Sequence, residues 1–140
     1  MGETFNVRVA VRGYELDIQG HLNQAVYLQY AEHARWEHLR AAGITPERMQ
    51  VARRGPVVLE TTIRYLSELR AGDEVDVSSA FQWGAGKTFR LRQEIRKTDG
   101  TLSAEVTAVG GVLDLDARRL VADPATELSK LADKPELLEK

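Results

Sequence analysis

A single long helical stretch, in a chain otherwise written for strands, decides most of what this sequence can become. From Gln24 to about Ala42 apolar residues recur at three- and four-residue steps: Tyr27, Leu28, Ala31, Ala34, Leu39 and Ala42. Val26, Tyr30 and Trp36 widen that face, while Gln29, Glu32, His33, Arg35, Glu37 and His38 take part of the remainder. An apolar arc this broad predicts a helix buried on more than one side. Asn23 supplies a favoured N-cap and Gly43 a natural stop.

Around this helix the period is two. Phe5, Val7, Val9 and Val11 predict a first strand ahead of it. Behind it, Thr45-Pro46 opens a short second helix to about Ala52, and Arg53-Arg54-Gly55-Pro56 turns the chain. Strands then follow in hairpin succession. The second carries Val57, Leu59, Ile63 and Tyr65 on one side; the third Val75, Val77, Phe81 and Trp83; the fourth Phe89, Leu91 and Ile95. The fifth runs from about Leu102 to Leu115, with a bulge or bend expected at Gly110-Gly111. After Arg119 the pattern weakens to a C-terminal helix with a frayed end. Strand, helix, then four strands predicts an α+β chain, an antiparallel sheet wrapped around one long helix in one domain over residues 1–140. One helix covers one sheet only in part, so a second copy is expected to close the remainder as a homo-oligomer.

Composition removes several function classes. A net charge of −2 leaves no electrostatic footprint for nucleic acid. The absence of cysteine excludes disulfides, thiolate metal sites and thiol nucleophiles together. No apolar run approaches the roughly 18 residues needed to span a bilayer. The N-terminus, Met1 to Asn6, has no basic region followed by an apolar run, and Asn6 stands where myristoylation needs Ser or Thr. The expectation is a cytoplasmic protein with no membrane partner.

The chemistry-bearing residues concentrate just ahead of the long helix. Asp17, Gly20, His21 and Asn23 form a polar turn that leads into Gln24. Asp17 is either a turn aspartate bonding its own backbone or an ionised group that attacks a carbonyl or deprotonates a water. His21 either caps the turn or orients substrate or water; Asn23 suits an N-cap better than a catalyst. The helix-start N–H near Gln24 needs no side chain to hold a developing negative charge. His33 and His38, five residues apart, fall on different helix faces, so no metal site is expected. Glu32 and Arg35 suit an ion pair or a contact with a neighbouring subunit. Gly84-Ala85-Gly86-Lys87-Thr88 ends like a phosphate loop, yet Phe81 stands where the first glycine belongs and a strand follows, so nucleotide hydrolysis is rejected. Trp36, Tyr30, Phe81 and Trp83 suit core or a hydrophobic pocket.

Val11-Arg12-Gly13-Tyr14-Glu15-Leu16-Asp17, Gly20-His21-Leu22-Asn23, Ala25-Val26-Tyr27-Leu28 and Glu32-His33-Ala34-Arg35-Trp36 resemble the hotdog-fold acyl-CoA thioesterases, the group of 4-hydroxybenzoyl-CoA thioesterase and the bacterial long-chain enzymes. The resemblance implies a five- or six-stranded antiparallel sheet around the helix, and dimers or tetramers hydrolysing an acyl-CoA at the subunit interface. It implies Asp17 as nucleophile or general base, with His21 and Asn23 beside it, and the Gln24 position as the amide that polarises the thioester carbonyl. It places Lys87 near the CoA phosphates. No separate cofactor is implied, CoA being part of the substrate. The family's usual Asn-Asn pair is Asn23-Gln24 here. Two rivals differ in chemistry: a hotdog hydratase or dehydratase using Asp17 and His21 on an acyl chain, and a non-catalytic acyl-CoA-binding protein.

Overall fold

The computed structural model describes residues 4–139; Met1, Gly2 and Glu3, on which part of the N-terminal reading rests, lie outside the described residues. Six strands form one antiparallel sheet: β1 Phe5–Ala10, β2 Arg54–Tyr65, β3 Glu74–Trp83, β4 Thr88–Lys97, β5 Leu102–Asp114 and the short β6 Arg119–Leu120. Their order is β1-β3-β4-β5-β2, with β6 pairing to the end of β5. Among the described residues three α-helices accompany them: α1 Gln24–Ala41, α2 Pro46–Ala52 and α3 Pro124–Leu131. This is the expected hotdog architecture, an α+β sheet curled around α1.

The period-2 pattern fixes which strand face meets α1. Val9, Val75, Val77, Ile95 and Ala104 are buried on that face, against Tyr27, Tyr30 and Ala34 of the helix. A second cluster sits around the helix C-terminus, where Leu39, Phe81, Phe89, Leu91 and Val112 pack with Leu128 and Leu138. The C-terminal tail is part of that core rather than frayed. Trp83 Nε1 donates to the Leu138 carbonyl at 2.8 Å, and Lys134 N–H to that of Ala42 at 3.0 Å.

His38, grouped by sequence with the polar remainder of α1, is instead 3% exposed. It stacks on Phe5 with ring centroids 4.7 Å apart, and its Nε2 meets the Leu137 carbonyl at 2.6 Å. A carbonyl only accepts, so Nε2 carries the proton and Nδ1 accepts from the Ser79 hydroxyl 3.0 Å away.

The irregularity expected at Gly110-Gly111 falls on the neighbouring strand. β5 runs through both glycines, while β2 shifts register between Val58 and Glu60, beside Gly110. The glycines serve close packing instead: a Cβ on Gly110 would lie 3.1 Å from the Phe89 ring and from the Val57 carbonyl. β2 is an edge strand, and Val58, Leu59 and Tyr65 on it are each about half exposed. Of the wide apolar arc predicted for α1, Leu28 and Trp36 are likewise exposed.

Candidate active site

The turn ahead of α1 is closed by its own backbone. Leu16 and Leu22 bridge across it, Asp17 N–H donates to His21 O at 2.7 Å, and Gly20 N–H to Asp17 O at 3.0 Å. Gly20 has φ +81°, a left-handed conformation open to glycine at no steric cost. Asp17 Oδ1 accepts from the N–H groups of Gln19 (2.9 Å) and His21 (3.1 Å), so the turn-forming role expected of an aspartate here is real. Both bonds fall on Oδ1, which orients the carboxylate and leaves Oδ2 without a partner among the described residues.

The turn is tied to its surroundings by further hydrogen bonds. Leu22 N–H donates to Leu69 O at 2.8 Å, and Asn23 N–H to Glu15 O at 3.0 Å. Glu15 in turn accepts the Tyr30 hydroxyl at 2.5 Å and the Arg12 N–H at 3.0 Å. Burial would raise the Glu15 carboxyl, but these donors and the Arg12 guanidinium outweigh it and hold the group below its usual range. Burial, together with that carboxylate, pushes the Tyr30 phenol well up, so it donates at every ordinary pH.

Asn23 is the N-cap of α1, its side-chain oxygen accepting from Ala25 N–H at 2.9 Å, while its carbonyl accepts from Val26. Among the described residues these bonds leave the Gln24 amide without an acceptor, at the positive end of an 18-residue helix.

A cleft of about 590 Å³ opens in front of these groups. Asp17, His21, Asn23 and Gln24 line it together with Tyr27, Tyr65 and Glu68. Four of the five residues singled out by sequence therefore share one cavity. The far wall was not legible from local pattern, since Tyr65 to Glu68 arrive from the end of β2. Tyr65 donates its hydroxyl to the Gln24 carbonyl at 3.0 Å and meets the Tyr27 ring edge-on at 5.1 Å. His21 Nε2 lies 3.3 Å from Glu68 Oε1. The Arg70 guanidinium, 2.6 Å from Glu68, and then His21 hold that carboxyl below its ordinary range.

Lys87 is the exception. It sits exposed in the β3–β4 turn, with its carbonyl beside Gly111, whereas the cleft lies beside Ser103, whose carbonyl accepts from Leu66 and Ser67. Eight residues of extended strand separate those two points of β5, roughly 26 Å. Among the described residues no cluster of three or more His, Asp or Glu side chains is placed to hold a metal, and no helix is long and apolar enough to cross a membrane.

Comparison with known proteins agrees with this fold. A family model described as the thioesterase-like superfamily matches residues 11–138. Long-chain acyl-CoA thioesterase FadM of Escherichia coli is 29% identical over 116 residues, covering 82% of this chain and 87% of that protein. The chloroplastic acyl-acyl carrier protein thioesterase ATL3 of Arabidopsis thaliana is 42% identical over 81 residues, 56% of this chain; the match spans only 42% of that longer protein. Among solved structures, YbaW of Escherichia coli superimposes with a TM-score of 0.80 at 27% identity, covering 97% of this chain and 99% of that one. With the match reaching from the polar turn through β2 to β6 and into the C-terminal tail, this chain belongs to the thioesterase-like superfamily.

Proposed function

We propose that this protein hydrolyses acyl-CoA thioesters to the free acid and CoA, as the name of FadM suggests; the name of ATL3 supports thioester hydrolysis with acyl carrier protein as the acyl carrier. One observation carries the reading: an oriented carboxylate, Asp17, and an unpaired helix-start amide, Gln24, line the same cleft. The thioester carbonyl oxygen accepts from the Gln24 N–H. Asp17 Oδ2 takes a proton from water, and the hydroxide so formed adds to the carbonyl carbon. The tetrahedral oxyanion is held by the same amide, then collapses, breaking the C–S bond; the departing thiolate takes up the proton that Asp17 removed from water, which restores the carboxylate. Direct attack by Asp17 would give an anhydride that water opens to the same products.

His21 supports this reading over hydration of an enoyl chain. Its Nε2 is engaged by Glu68 Oε1 at 3.3 Å on the cleft wall, which suits a positioning role at the turn. Lys87 stands a strand's length from the cleft in its own chain, and the reading assigns the CoA phosphates to the Lys87 of a second copy. A homo-oligomer is therefore part of the proposal, joined along the β2 edge with its half-exposed Val58, Leu59 and Tyr65. Measuring thiol release from a panel of aliphatic and aromatic CoA esters, beside hydration of an enoyl-CoA, tests the reading. Hydration without thiol release overturns it.

A further inference from the structure

One buried ionisable pair stands behind the cleft, outside its lining and with no part in the chemistry of hydrolysis. Tyr30, 4% exposed on α1, donates its hydroxyl to Glu15 Oε1 at 2.5 Å, and only 12% of the Glu15 side chain reaches solvent. A carboxylate withdrawn this far from water costs stability unless donors surround it, and a hydrocarbon side chain in its place carries no such cost. Here the donors are the Tyr30 hydroxyl, the Arg12 N–H at 3.0 Å and the Arg12 guanidinium at 3.4 Å. The place of this residue in the backbone shows what the carboxylate achieves there.

Glu15 lies at the base of the turn that carries Asp17. Its carbonyl accepts from the Asn23 N–H at 3.0 Å, and that bond closes the loop from 15 to 23. Asp17 stands two residues inside one end of the loop, and Gln24 is the residue just beyond the other. Glu15 is thus joined to α1 twice, by its carbonyl at the N-cap and by its carboxylate at Tyr30. Tyr30 lies about 9 Å along the axis from Gln24, and a helical tyrosine leans back toward the N-terminus, which brings its hydroxyl to the turn. One bond alone lets the base of the loop swivel about the N-cap; two fix its angle. The limb ending at Leu22 is also held by Leu69 O at 2.8 Å, so a swivel displaces the limb that carries Asp17. A misplacement of about 1 Å between reacting groups can cost about a hundredfold in rate.

We infer that Tyr30 and Glu15 are positioning residues, which together hold the Asp17 carboxylate at its working distance from the Gln24 amide. The inference rests on the thioesterase reading above and deepens it. Tyr30→Phe removes the hydroxyl and keeps the ring. Its kcat for thiol release should fall at least fivefold with KM within twofold of the unmutated protein, at a temperature where both are fully folded. Glu15→Ala should show the same loss. Glu15→Gln, whose amide oxygen still accepts from Tyr30 and from the Arg12 N–H, should stay within threefold. The double variant Tyr30→Phe/Glu15→Ala should match the larger single loss within twofold, since the two act as one unit. A smaller fall in either single variant, no recovery in Glu15→Gln, or losses that multiply in the double variant overturns the inference and leaves the hydrolase standing. Should Tyr30→Phe not fold, Glu15→Ala, at a less deeply buried residue, carries the comparison with Glu15→Gln. Amide hydrogen exchange supplies a readout that needs no activity. In Tyr30→Phe, or in Glu15→Ala in its stead, the Asn23 and His21 N–H groups should exchange at least tenfold faster, with Ala34 and Leu39 unchanged. That result, with no thiol release from any ester by the unmutated protein, would retain the pair as holder of the turn and remove the hydrolase. Unchanged exchange at Asn23 and His21 would overturn the inference whatever the activity.

Discussion

Asp17 performs two tasks with two oxygens, and substitution can part them. Asparagine keeps a carbonyl oxygen that accepts from Gln19 and His21, so the turn persists, but it neither attacks nor removes a proton. Asp17→Asn should lower kcat by about a hundredfold or more with an unchanged melting temperature. Full turnover in that variant would take Asp17 out of the mechanism. At His38 burial depresses the imidazole, with the Leu137 carbonyl opposing, so the folded chain binds its proton less readily than the unfolded one. Stability from this group is complete above the unfolded value of about 6.5 and falls as pH drops below it toward the lower folded value. Denaturant midpoints between pH 7.5 and 5.5 should therefore decline, and a His38→Gln variant, though weaker at pH 7.5, should show a shallower decline.

At the scale of elements, α1 is held at its start by a cap and along its flank by close packing. Asn23→Ala removes the acceptor for the Ala25 N–H and should cost about 1 kcal/mol of stability. It also loosens the amide cluster at the cleft, so kcat should drop with it; a stability loss with kcat intact would show the cap to be structural only. In β5, Gly110→Ala drives a methyl group against the Phe89 ring and the Val57 carbonyl, both 3.1 Å from the new carbon. One of those contacts is backbone, so relief is limited and about 1–3 kcal/mol of destabilisation is expected, measurable by chemical denaturation.

For the whole molecule, the unpaired edge of β2 carries the consequence. An edge strand with half-exposed Val58, Leu59 and Tyr65 is a template for pairing unless something covers it. Leu59→Lys should shift the protein toward monomer in sedimentation velocity. If Lys87 of a second copy serves the CoA phosphates, the same variant should raise KM for acyl-CoA. A monomeric protein of full activity would remove both the interface and the role of Lys87.

Periodicity alone carried the element order. The strand alternation of Val75, Val77 and Ile95, the helical recurrence of Tyr27, Ala31 and Ala34, the Asn23 cap and the Asp17–Gln24 turn are all local signals, each readable within a few residues. The same locality limited the rest. Whether Leu28 and Trp36 are buried depends on what lies opposite them, and His38 became core only because Phe5, Ser79 and Leu137 arrive from distant segments. Tyr65 and Glu68, more than forty residues from Asp17, reach the cleft because β2 ends beside the start of α1. Lys87, which the resemblance sets near the CoA phosphates, stands a strand's length from the cleft in its own chain. Sequence fixes what a residue can do and what conformation its neighbours favour; only the packed sheet decides which of those residues meet.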